Sequence, residues 1–183
     1  TKGWTAESYG TFCSSEYFLN VFAFFLIFAG IILDKMGIRF TGILSGAVMV
    51  IGASIKLYAV SDWFSADSAL YSFLNSFWTS FPPTAKLASV GFMIFGCGVE
   101  MAGVTVSKAI AKWFKGKEMA LAMGLEMAIA RLGVFAVFRL SPYLSTYLNE
   151  AIPTVVTPVL VCTILLLIGL IAYTVFTFMD KTL

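Results

Sequence analysis

Histidine is absent from this sequence, and charge is scarce: Asp, Glu, Lys and Arg make up 12% of 183 residues, against about a quarter in soluble domains. Without histidine, imidazole metal sites, catalytic triads and imidazole proton relays are excluded. Cysteine is almost as rare. Cys13, Cys97 and Cys162 stand far apart in or beside apolar runs, and read as small hydrophobes rather than as a disulfide framework or a metal site. No paired catalytic carboxylates and no metal-ligand spacing support an intramembrane hydrolase. The chain is therefore expected to be no enzyme, with no catalytic residues, no metal and no cofactor. A net charge of +2 offers no electrostatic footing for nucleic acid. No N-x-(S/T) sequon occurs, and no signal-peptide pattern follows Thr1.

In place of charge there is apolar surface, at 60% of residues, so the lipid bilayer is the expected solvent. A span needs roughly twenty predominantly apolar residues. Five candidates appear, over about 17–33, 40–60, 87–108, 119–140 and 153–179. The expected fold is all-α, a polytopic transmembrane helical bundle. Gly42, Gly46 and Gly52 in the second span, and Gly91, Gly96, Gly98 and Gly103 in the third, permit close helix packing. Lys56 lies near the end of its span, within snorkelling reach of water. Between the second and third spans, Leu70, Phe73, Leu74, Phe77, Trp78 and Phe81 recur at helical spacing. Asp67 or Ser68 would cap this interfacial helix, and Pro82-Pro83 would stop it.

Lys and Arg set the orientation. Lys35, Arg39, Lys108, Lys112, Lys115, Lys117 and Lys181 fall on one side, whereas residues 61–85 and 140–152 hold none. The basic side is expected to be cytoplasmic. The start then lies outside, which suggests a fragment with a preceding span missing.

Two charges interrupt the third and fourth spans. Glu100 lies sixteen residues before Gly116 and Arg131 fifteen after it. At 1.5 Å per residue both stand about 23 Å from the turn, at one depth. A charge there is costly unless paired or facing water. Two readings stay open: an ion pair that staples two helices, or a substrate site. In the second, Arg131 forks onto a carboxylate and Glu100 takes an ammonium, so a zwitterion such as a short peptide matches both. Gly96, Glu100, Gly103 and Ser107 share one face, and Glu126 and Ser107 are expected at the cavity rim. Lys108 and Arg139 lie near helix ends, where snorkelling accounts for them.

The stretch "GIILDKMGIR" resembles the major facilitator signature G-x-x-x-D-(R/K)-x-G-x-(R/K), through Gly30, Asp34, Lys35, Gly37 and Arg39. Ile38 stands where the family usually has a basic residue. The resemblance implies a gate motif: Gly30 admits a helix of the other half, Gly37 turns the chain, and Asp34 latches the inner gate. "WFKGKE" from Trp113, and "WTAESYGTF" from Trp4, are similar to the lysosomal dipeptide-transporter branch of that superfamily. This likeness implies helices two to six of twelve, an incomplete facilitator fold whose C-terminal half, elsewhere in the same chain, completes the cavity. Phe92 and Met93 stand where proton-coupled relatives carry an arginine, and the G-x-x-x-G-P pattern is missing from the span at 119–140. Drug export is thus disfavoured. The expected activity is alternating-access transport of a small zwitterion, possibly a dipeptide. Alternatives are a carboxylate carrier using Arg131 alone, or a receptor or scaffold on the same fold. A bacterial inner membrane is the expected location, with a lysosomal membrane as the alternative.

Overall fold

The computed structural model describes residues 3–22, 24–64, 68–114, 116–147 and 155–182. They form six helices: α1 Ala6–Phe22, α2 Phe25–Val60, α3 Ala69–Asn75, α4 Pro83–Trp113, α5 Lys117–Tyr147 and α6 Val156–Thr182. Four are long and apolar enough to cross a membrane: Phe25–Val60, Pro83–Trp113, Glu118–Thr146 and Val156–Met179.

The expected run over 17–33 is not one helix. It straddles a break, because Phe24 adopts a left-handed conformation (φ 50°) ahead of α2. Neither glycine nor proline marks the place, so composition could not reveal it. Helix also begins much earlier, at Ala6. Polar residues of this early segment turn toward α4. Trp4 Nε1 donates to Thr84 Oγ1 at 2.9 Å. Phe12 stacks on Phe92 at 4.8 Å, and buried Ser15 donates from Oγ to the Ser89 carbonyl at 3.2 Å. α1 therefore runs parallel to α4.

At 36 residues, α2 would measure about 54 Å if straight, far beyond the 30 Å hydrocarbon layer. Gly37 resolves this with φ 80° and ψ 170°, a backbone state that side chains with a Cβ avoid. The turn is confined to this residue, and Asp34, Lys35 and Met36 remain helical. Beyond it, the second limb of α2 returns antiparallel to α4. Gly52 abuts the backbone of Gly91 and Phe95, and Gly98 meets Ser45 and Met49. α6 lies against the other flank, where the Tyr173 ring covers Gly42, Leu170 covers Gly46, and Tyr173 Oη donates to the Ile38 carbonyl at 3.2 Å. Small residues thus let backbones approach where no hydrophobic drive operates.

The amphipathic helix expected up to Phe81 stops at Asn75. Trp78 has φ 47°, and the amine of buried Lys86 donates to the carbonyls of Leu74 (2.5 Å) and Phe77 while sitting over the Phe77 ring. A cation that satisfies open carbonyls ends the helix early. Pro83 starts α4 rather than merely stopping α3. Of the capping residues expected here, Asp67 lies outside the described residues and Ser68 occupies the N-cap without a side-chain bond. Lys115, and residues 153 and 154 of the last expected span, also lie outside them. α5 is helical through Pro142, and none of its apolar stretch is buried.

Candidate functional site

Glu100 is half-buried on α4, one turn past Gly96, whose Cα is covered by the backbone of Glu16 from α1. Glu16 on α1, Lys56 on α2 and Glu100 on α4 are each half-buried. Lys56 does not snorkel outward as expected. Its amine sits 4.7 Å from the Phe92 ring centre and 5.0 Å from that of Phe95. Ring faces attract a cation, by up to about 2 kcal/mol when water is excluded, and this draws Lys56 inward. It also lines a cavity of about 520 Å³ between α2, α4 and α6, with Ser45, Thr105, Cys162, Thr163 and Tyr173. The walls are otherwise apolar, and neither Glu100 nor Arg131 lines it.

Arg131 stands exposed on α5 and Glu126 half-exposed one face away. Among the described residues, neither forms an ion pair or hydrogen bond, and Glu100 and Arg131 are not joined to one another. The turn between α4 and α5 falls at Gly116, with φ 79°. The expected stripe on α4 divides. Gly96 is covered by α1, whereas Gly103 and Ser107 are open.

At the other end of α4, Lys108 Nζ lies 2.6 Å from Asp34 Oδ1. Snorkelling therefore does not account for Lys108 fully, because it ties α4 to the first limb of α2. Leu33, Gly37, Arg39 and Lys112 join the pair around a cavity of about 410 Å³. Lys35 is exposed, and nothing approaches Gly30 within 4 Å of an added Cβ.

Sequence reasoning missed Glu16, which precedes the expected span at 17–33, and Asn20, which lies within it, and it assigned Lys56 the opposite direction. The spacing of Trp4, Ser8, Phe12, Glu16 and Asn20, four residues apart, is the signal that could have found the first two. Among the described residues, no three His, Cys, Asp or Glu side chains gather where a metal could be held.

The sequence is similar to curated transporters over part of its length. It is 31% identical over 107 residues to the lysosomal dipeptide transporter MFSD1 of Bos taurus, covering 58% of this chain and 19% of that protein. Against the Danio rerio protein of the same name it is 33% identical over 115 residues, 62% of this chain and 20% of the relative. Against that of Gallus gallus it is 40% identical over 65 residues, 36% of this chain and 13% of the relative. The chain thus spans at most about a fifth of the curated relatives it matches. No family profile and no solved structure matches it. The similarity is to a major facilitator branch, distant and partial.

Proposed function

We propose that this chain is part of a secondary transporter of the major facilitator type, moving small zwitterionic solutes, short peptides among them, by alternating access. One observation carries the reading: an acid and a base, Glu100 and Arg131, stand in apolar helices at one depth, with no ion pair between them. A charge in an apolar span is costly unless it is paired or faces water, and such residues mark binding sites for charged ligands. The partial similarity to proteins named as dipeptide transporters supports a ligand with both charges, and supports transport over bond chemistry.

In this reading α1 and the first limb of α2 make one broken crossing, and the second limb, α4, α5 and α6 make four more. The other half of the transporter completes the cavity, and the two halves rock about a midplane site. A bacterial inner membrane remains the proposed location, with the lysosomal membrane named for the relatives as the alternative.

Uptake by the full-length protein in proteoliposomes tests the proposal. Dipeptides should compete with a labelled dipeptide, and monocarboxylic acids should not. Competition by carboxylic acids alone would favour an anion carrier using Arg131. Binding without uptake would favour a receptor.

The Asp34–Lys108 pair would hold the cytoplasmic ends of α2 and α4 in register as the gate closes. Both side chains are well exposed, so the pair contributes only about 0–1 kcal/mol to stability. Asp34→Asn is expected to slow uptake severalfold while the melting temperature in detergent stays within a degree or two of wild type. Wild-type uptake at equal expression would remove Asp34 from the gate.

A further inference from the structure

Both polar atoms of the Asn20 side chain, Oδ1 and Nδ2, are buried and have no hydrogen-bond partner among the described residues. Buried amides are normally bonded, and inside a bilayer no bulk water compensates one that is not. The packing of α1 on α4 says what lies opposite. Trp4 bonds Thr84, Phe12 stacks on Phe92, and Glu16 abuts Gly96, each pair 80 residues apart. Continued for one more helical turn, this parallel register would set Asn20 level with Glu100. Asn20 lies one turn beyond Glu16 on the same face of α1.

We propose that Asn20 is a specificity-determining residue that grips the first residue of the substrate beside its ammonium group. Oδ1 accepts from the ammonium that Glu100 also holds, and Nδ2 donates to the carbonyl oxygen of the same substrate residue. In a peptide that oxygen lies three bonds from the amine nitrogen, along N–Cα–C=O, so one primary amide reaches both ends of the fork. Asparagine suits the task because its side chain carries a donor and an acceptor side by side. A carboxylate could serve only the ammonium. The inference rests on the reading of Glu100 as the ammonium site.

The test uses full-length protein in proteoliposomes, with dialanine and its thioxo analogue, in which sulfur replaces the peptide carbonyl oxygen. The analogue keeps both charges and the N–H but accepts hydrogen bonds poorly. Wild type should prefer dialanine by about tenfold, the scale of one hydrogen bond. Asn20→Leu and Asn20→Ala should each bind dialanine about tenfold more weakly and lose the preference. Asn20→Leu also removes an unbonded amide, so without ligand it should melt no lower than wild type. Retention of the preference in both variants would overturn the proposal, whatever their stability. Failure of wild type itself to take up dialanine would instead overturn the peptide reading, and this inference with it.

Discussion

Valine at position 52 is expected to cost the protein about 3 kcal/mol or more, by forcing α2 away from α4. A Cβ there would lie 2.5 Å from the Phe95 nitrogen, 2.6 Å from the Gly91 carbonyl oxygen and 2.8 Å from the Phe95 Cα. These are backbone atoms, and no rotamer change can move them aside. Overpacking a tight site typically costs about 1–3 kcal/mol, and more where the neighbours are rigid. In a bilayer the loss is compounded, since close contact itself holds the helices together. Gly103 supplies the control on α4. Nothing lies within 4 Å of its added Cβ, and Gly103→Val should shift stability by only about 0.5 kcal/mol. Thermal unfolding of both variants in detergent measures the contrast. Equal melting temperatures would mean that the Gly52–Gly91 seam does not hold α2 to α4.

Arg131→Gln is expected to weaken binding of substrates with a free carboxylate by about tenfold to a hundredfold, the scale of a hydrogen bond between charged groups. C-terminally amidated analogues should bind wild type and variant alike. Glu100→Gln should act on the other end, with N-acetylated analogues insensitive to the change. The competing account is a staple between α4 and α5. A staple predicts that either single substitution strands a charge, destabilises the protein and harms every substrate equally, while the double variant Glu100→Gln, Arg131→Met recovers. Competition binding with four analogues, free and blocked at each end, separates the accounts. Recovery in the double variant without end selectivity would leave the staple standing.

Helices, apolar spans and glycine seams were legible from residue type, because each is dictated locally. Apolar length sets what can cross a bilayer, and all four helices long enough to do so overlap expected spans. Gly52 and Gly91 were marked for close packing and do meet, whereas Gly103, marked for the same reason, faces open space. A glycine states what is permitted; only a neighbouring helix decides whether the permission is used. The same holds for charge. Glu100 and Arg131 drew notice because acid and base are rare in apolar runs, whereas Glu16 sat among polar residues and Asn20, uncharged, interrupted its apolar run only mildly. Their importance comes from the parallel register of α1 on α4, a relation between residues 80 positions apart. Lys56 could snorkel outward or turn inward with similar reach, and the rings of Phe92 and Phe95 decide for inward. Asp34 and Lys108 each had a local explanation until tertiary packing set them 2.6 Å apart. Local chemistry thus marked the apolar spans and the charged residues that are costly to place in lipid, but not the helix from Ala6, the break at Phe24 or the early end of α3. Which costly residues face one another depends on helix register and rotation, and these are settled by contacts between distant parts of the chain.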